Sequence, residues 1–195
     1  LTVRTIGGTL TALVISILLG PAIINFLKSM QFEQFVREDG PKSHYKKTGT
    51  PTMGGLLILS SLTISTLLWA DLGNRYIWVV LGVTIGFALI GFFDDYLKIR
   101  KKSSDGLTSI QKIIFQSIVA LVSMTYLYYS AEIMPETSFI VPFFKDLILP
   151  MSPFIFIFTG MFVLIGSSNA VNLTDGLDGL AILPTVLIGG ALGLI

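Results

Sequence analysis

The sequence contains no cysteine, a single histidine and few charged side chains. Without cysteine, the chain can form neither a disulfide framework nor a cysteine-based metal site. His44 alone cannot supply a metal site that needs several histidines. Charged residues make up 13% of the chain, against about a quarter in an average soluble domain, and 52% of the residues are apolar. This composition excludes an ordinary soluble domain.

Long apolar runs dominate the sequence instead. A membrane-spanning helix needs about 20 predominantly apolar residues. Six runs of about this kind follow one another, at 5–27, 53–70, 76–93, 113–130, 153–166 and 180–195. A soluble all-α core could account for one such run, but six in series indicate membrane spans. The predicted fold class is all-α: a polytopic transmembrane helix bundle that forms a single domain over residues 1–195.

The distribution of Lys and Arg predicts the orientation of these spans, because cytoplasmic loops are enriched in both. Five of these cations lie between the first two runs and five between the third and fourth, whereas the opposite side has three. We therefore predict an outward-facing N-terminus, cytoplasmic loops at 28–52, 94–112 and 167–179, and an outer segment at 131–152. The outer segment is interrupted by proline and too short to span, so a short hairpin or an interfacial segment is expected.

Asp94 and Asp95 follow the third apolar run and directly precede a cluster of cations. Successive residues of a helix point about 100° apart, so only one of the two can face a given substrate atom. The other would orient its neighbour, bind a metal or meet Lys98. A carboxylate near the C-terminal end of a helix opposes the helix dipole, which favours a functional role. The structural alternative is a solvated helix end with ion pairs to Lys98 and Lys102.

The segment 167–181, "SSNAVNLTDGLDGLA", combines amides and acids at a regular spacing. Asn169, Asn172, Asp175 and Asp178 recur every three residues, so consecutive members are neighbours on a helix surface. Such a stripe at the end of a span is suited to lining a polar site, and Gly176 would let a ligand approach the backbone. A capped turn is the alternative, since Asn, Asp and Gly all favour turns.

Two basic segments predict phosphate binding. In "SHYKKTGTPTMGG", residues 43–55, Lys46 and Lys47 supply charge, Thr52 supplies a hydroxyl, and the following helix offers free N–H groups. In "KIRKKSSDGLTSIQK", residues 98–112, five cations could attract a phosphorylated lipid and an anionic co-substrate. The alternatives are a basic loop against anionic lipid in the first case and positive-inside loop composition in the second. His44 is either a phosphate donor or a surface residue.

These segments have complementary chemistry. Carboxylates suit Mg²⁺, which prefers oxygen ligands and commonly shares substrate phosphates. Cations and helix N-termini suit phosphate oxygens. Together they predict phosphoryl transfer at a membrane surface, where positioning and electrostatics perform most of the catalysis.

Three strings carry a resemblance to a known family: "KKTGTPTMGG", "GFFDDYLKIRKK" with the following "DGLT" and "QK", and "SSNAVNLTDGLDGLA". They resemble the bacterial phospho-N-acetylmuramoyl-pentapeptide transferases, a branch of the polyprenyl-phosphate N-acetylhexosamine-1-phosphate transferases. The likeness extends from Thr5 to Ile195. It implies transfer of phospho-MurNAc-pentapeptide from UDP-MurNAc-pentapeptide to undecaprenyl phosphate, with Mg²⁺ as cofactor and with lipid I and UMP as products.

The resemblance also implies roles for individual residues. Asp94 would deprotonate or position the lipid phosphate, and Asp95 would assist it or organise the metal region. Asp94, Asp95 and Asp175 are the candidate catalytic residues and metal ligands. The residues expected to line the nucleoside and diphosphate cleft are Lys47, Thr52, Asn172, Gly176 and Asp178, with further phosphate contacts possible from His44, Lys46 and Lys112.

Family members have about ten spans, so the chain is expected to be an N-terminal portion, inactive on its own. The resemblance implies that a main metal-binding aspartate of the family and a histidine-rich motif lie beyond Ile195. The set of ligands that Asp94, Asp95 and Asp175 could form is therefore expected to be incomplete within this sequence.

The expected setting is a bacterial inner membrane, with the active site facing the cytoplasm. Membrane lipid is an expected partner, a homodimer is one possible assembly, and no nucleic-acid partner is expected. The alternatives are a sister enzyme that transfers GlcNAc-1-phosphate from UDP-GlcNAc and, from another class, a transporter that uses the acids as an ion path.

Overall fold

The computed structural model describes residues 2–29, 53–103, 105–141, 143–144, 146–175 and 180–194. These residues form six α-helices and one small antiparallel sheet, which confirms the predicted all-α class. The helices are α1 (Thr2–Ser29), α2 (Gly55–Trp69), α3 (Arg75–Lys101), α4 (Ser109–Tyr129), α5 (Pro153–Thr174) and α6 (Ile182–Leu194).

Four of the six helices are long and apolar enough to cross a membrane. These are α1, α3, α4 and α5, with 28, 27, 21 and 22 residues. The other two, α2 and α6, are apolar but have 15 and 13 residues. At 1.5 Å per residue, a 15-residue helix covers about 22 Å of a hydrocarbon core about 30 Å thick. The six predicted runs are therefore all helical, and four of the helices have the length and composition of a membrane span.

Helix α3 continues beyond the end of its apolar run. Asn74 caps its first turn by accepting a hydrogen bond from the backbone N–H of Tyr76 at 2.9 Å. The helix ends at Lys102, whose left-handed backbone (φ 51°) lets the last carbonyls be satisfied, and Ser103 N–H donates to the Lys98 carbonyl at 3.1 Å. Basic side chains in the last turn favour this end of the helix dipole. Residues 94–101, part of the predicted cytoplasmic segment 94–112, are thus helical.

The chain divides into two compact units, residues 1–115 and 116–195, with the boundary inside α4. In the first unit, α1 packs on α2 through side-chain hydrogen bonds. Ser65 donates to the Gly8 carbonyl, and Ser16 donates to Ser61 at 3.0 Å. The Trp69 indole N–H donates to Thr11 at 3.0 Å. Polar pairs and small residues are typical of helix contacts in lipid, where apolar burial provides little drive for association.

Gly7 allows the close approach of α1 to Trp69. A Cβ atom at residue 7 would lie 2.7 Å from two carbons of the indole ring, which is itself held by its bond to Thr11. We expect Gly7→Ala to destabilise the protein by about 1–3 kcal/mol, as overpacking commonly does. Thermal unfolding in detergent measures this. Gly82→Ala on α3 is the matched control, since no atom lies within 4 Å of the added Cβ there; equal stability of the two variants would contradict the prediction.

The second unit contains the rest of α4, a hairpin, α5 and α6. Ala120 and Met124 of α4 are buried, and the ring of Tyr128 lies 5.6 Å from that of Phe156 on α5. Between these helices a short 3₁₀ turn leads into strand β1 (Ser138–Ile140), which pairs antiparallel with β2 (Ile148–Pro150). Of the two forms expected for the segment 131–152, the structure shows the hairpin.

Candidate active site

Asp94 is a buried carboxylate near the C-terminal end of α3. It is 7% exposed, whereas the preceding Phe93 is 55% exposed and the following Asp95 is half-buried. A buried carboxylate is costly unless cations and hydrogen-bond donors surround it. The groups that contact Asp94 therefore offset the cost of burying its charge.

Three donors hold the Asp94 carboxylate. The Lys98 ammonium lies 2.7 Å from Oδ2, one helical turn further along α3. The Lys112 ammonium, from the first turns of α4, lies 3.1 Å from Oδ1. The backbone N–H of Leu107 donates to the same oxygen at 2.7 Å. Helix, loop and next helix thus meet at one side chain, and both of its oxygens are engaged.

Asp95 has a different place in the cluster. Its Oδ1 lies 3.0 Å from the Lys98 ammonium, so Lys98 bridges the two neighbouring aspartates. Contact with Lys98 was one of the roles considered for the second aspartate, and it is observed. The ion pair with Lys102 is not: Lys102 ends α3 as an exposed residue, and Lys112 supplies the second cation. Lys112 was predicted as a phosphate contact, and its position beside Asp94 was missed.

The loop between α3 and α4 closes over Asp94. Gly106 lies so close that a Cβ atom there would overlap Oδ1 of Asp94. Thr108 and Gln111 cap the start of α4 with two reciprocal hydrogen bonds. Thr108 N–H donates to Gln111 Oε1 at 2.9 Å, and Gln111 N–H donates to Thr108 Oγ1 at 3.2 Å. This is a capping box, and the pattern Thr-x-x-Gln was a signal available in the sequence.

The Asn/Asp stripe belongs to the second unit. Asn169 donates from its amide to Gln116 Oε1 and to the Ile165 carbonyl, both at 2.8 Å. Asn172 is exposed in the last turn of α5, and the exposed Asp175 ends that helix. The sequence did not single out Gln116, the buried partner of Asn169 on α4.

Six predicted site residues lie outside the described residues: His44, Lys46, Lys47, Thr52, Gly176 and Asp178. Their roles stay predictions. Ile195 also lies outside the described residues, which end at 194, and the structure does not test the expectation of a further metal ligand beyond it.

The groups around Asp94 also bear on metal binding. Among the described residues, no three His, Asp or Glu side chains lie together in a way that could hold a metal ion. Both oxygens of Asp94 already face ammonium groups, which would repel a divalent cation, so Asp94 as placed here does not fit a direct ligand. Asp95 and Asp175 are more exposed, and ligation of Mg²⁺ by them stays a prediction.

The fold and this cluster define a class: a helical membrane protein that gathers carboxylates and ammonium groups at one helix end. The model of glycosyl transferase family 4 matches residues 77–195, more than half of the chain. The chain belongs to this family. The phospho-N-acetylmuramoyl-pentapeptide-transferase signature 1 matches residues 47–59. The resemblance drawn from the sequence is thereby confirmed, and the chain is a phosphosugar transferase of a family that implies a polyprenyl phosphate and a nucleotide sugar as substrates.

Proposed function

We propose that the enzyme containing residues 1–195 transfers phospho-MurNAc-pentapeptide from UDP-MurNAc-pentapeptide to undecaprenyl phosphate, giving lipid I and UMP. The family and signature matches support a phosphosugar transferase linked to peptidoglycan synthesis. The observation that carries the proposal is the Asp94 cluster, in which two ammonium groups lie within 3.1 Å of one buried carboxylate. We place this chemistry at the cytoplasmic membrane face, because the cations of the sequence concentrate on that side.

The reaction exchanges one phosphate linkage for another. An oxygen of the lipid phosphate forms a bond to the sugar-linked phosphorus of the nucleotide sugar, and the diphosphate P–O bond to UMP breaks. Negative charge accumulates on phosphate oxygens throughout. Lys98 and Lys112 can neutralise this charge, since each can exchange an Asp94 oxygen for a phosphate oxygen.

Asp94 then acts mainly by holding these two lysines in place. A phosphomonoester has a second pKa of about 6, so much of the lipid phosphate is already a dianion at neutral pH and needs little help from a base. Magnesium, when bound, would neutralise diphosphate charge, and Asp95 and Asp175 remain its candidate ligands in this chain.

We favour direct attack by the lipid phosphate over a phospho-enzyme on Asp94. A nucleophilic carboxylate needs a free oxygen, whereas both oxygens of Asp94 accept from donors within 3.1 Å. Omitting the lipid acceptor tests this. Direct attack predicts no UMP release, and one equivalent of UMP per enzyme would indicate a covalent intermediate.

Substrate choice tests the proposed function. The purified enzyme is supplied with undecaprenyl phosphate and Mg²⁺ and with either UDP-MurNAc-pentapeptide or UDP-GlcNAc, and the lipid product is identified by mass spectrometry. We expect lipid I from the first sugar nucleotide and no product from the second. Turnover of UDP-GlcNAc alone would assign the sister activity. Turnover of neither would contradict the proposed reaction.

A further inference from the structure

The turn from α3 to α4 passes directly over the Asp94 carboxylate. A Cβ atom at Gly106 would overlap Oδ1 and would lie 2.7 Å from Cγ and 2.9 Å from the backbone carbonyl of Asp94. The nearest atoms are the first atoms of a buried side chain and the helix backbone, and neither can swing away as the tip of a long side chain does. Glycine is therefore the residue that lets this turn reach the carboxylate.

The same turn supplies a donor to the carboxylate. The Leu107 N–H, directly after Gly106, donates to Oδ1 at 2.7 Å. A backbone donor is more rigid than an ammonium at the end of a four-carbon chain. The Leu107 N–H therefore fixes the rotation of the Asp94 carboxylate, and the flexible side chains of Lys98 and Lys112 adjust to that rotation.

The capping box at the start of α4 fixes the position of Lys112, which makes the third contact with Asp94. Because Thr108 and Gln111 hold each other's backbone N–H groups, the first turn of α4 has a defined start. The first helical hydrogen bond of α4, from Lys112 N–H to the Thr108 carbonyl at 3.0 Å, joins the same segment. The start of α4 thereby sets where the Lys112 ammonium stands relative to Oδ1.

We infer that residues 106–111 form a positioning clamp for Asp94. Gly106 lets the turn come close to the carboxylate, the Leu107 N–H sets the rotation of the carboxylate, and the Thr108–Gln111 capping box sets the position of the Lys112 ammonium. The inference rests on the proposed function, because it assigns these positioning residues to the same reaction. The clamp orients groups that meet the phosphates during transfer, and it does not itself contact substrate. Its loss therefore lowers kcat and leaves KM nearly unchanged.

Gly106→Ala tests the clamp against Gly91→Ala. Gly91 lies on α3 three residues before Asp94, and an added Cβ there meets no atom within 4 Å. We expect Gly106→Ala to lower kcat by about tenfold or more, as small misplacements of catalytic groups do, with KM within about twofold of wild type. Gly91→Ala should retain wild-type kcat. Equal kcat for the two variants, or a change confined to KM, would overturn the clamp.

Thr108 provides a second variant pair at a residue that is exposed. Thr108→Ser keeps the hydroxyl that accepts from Gln111 N–H, and Thr108→Val removes it while keeping the shape. We expect Thr108→Val to lower kcat and Thr108→Ser to restore it to near the wild-type value. If valine and serine give the same kcat, the box does not position Lys112.

Zero-length cross-linking provides a readout that does not depend on turnover. A carbodiimide condenses a carboxylate with an adjacent ammonium into an amide, with water taken up as the urea, and mass spectrometry identifies the joined peptides. We expect an Asp94–Lys112 link in wild type and Gly91→Ala and a reduced yield in Gly106→Ala. An unchanged yield in Gly106→Ala would overturn the clamp. The expected cross-linking pattern without lipid product from the wild-type enzyme would sustain the clamp and reject the proposed function.

Discussion

Asp94→Asn is expected to lower kcat by about a hundredfold and to leave KM within about threefold of the wild-type value. The substitution preserves shape and keeps an oxygen that can accept from the Leu107 N–H. It removes the negative charge that gathers Lys98 and Lys112 within 3.1 Å of one side chain. The lysines then lose their common anchor, and the arrangement that stabilises phosphate charge in the transition state is lost.

The measurement is steady-state formation of lipid product and UMP over a range of both substrates. Asp71→Asn is the matched control, because Asp71 is an exposed aspartate that pairs with Arg4 near the start of α1, at 3.8 Å. We expect this control to keep wild-type kinetics. Near-normal turnover by Asp94→Asn would remove Asp94 from the chemistry and leave it a structural role.

Lys98→Met is expected to lower kcat by a similar factor of about a hundred. Lys98 lies 2.7 Å from Asp94 and 3.0 Å from Asp95. Its removal therefore takes one ammonium contact away from each of two neighbouring carboxylates. Methionine keeps much of the apolar stem. The loss therefore reports on the ammonium group rather than on packing.

A double-mutant cycle decides whether Lys98 and Asp94 act together. Independent residues would give a combined loss of about ten-thousandfold in Asp94→Asn/Lys98→Met, whereas residues that act as a unit give about the loss of one change alone. We expect the second result. Lys28→Met, at an exposed lysine of α1, is the control for loss of one positive charge. Multiplicative losses in the cycle would show that Lys98 serves the reaction independently of Asp94.

The helices could be predicted from the sequence because apolar runs and caps are local signals. The Lys and Arg residues after Asp95 predicted a cytoplasmic segment, but they did not show that α3 continues through them to Lys101, where basic side chains favour the last turn of a helix. The span predicted at 53–70 was longer than the observed α2, since the apolar composition of a run does not set where its helix begins and ends.

The candidate site was predicted in its residue types but not in its geometry. Asp94 and Asp95 are equivalent in the sequence, and the distinction between them arises from Leu107 and Lys112, 13 and 18 residues further along. No periodicity relates residues across a turn of this kind. Gly106 gave no local sign that its missing side chain makes room for a carboxylate, although the capping box beside it could have been recognised.

The pairing of two aspartates with two lysines has an electrical consequence. The formal charges of Asp94, Asp95, Lys98 and Lys112 sum to zero, so these four side chains largely cancel one another's field at a distance. Attraction of a distant anion then depends on exposed cations such as Arg100 and Lys101, in the last turn of the same helix. Added salt should accordingly slow the encounter with substrate far more than the exchange of phosphate linkages that follows.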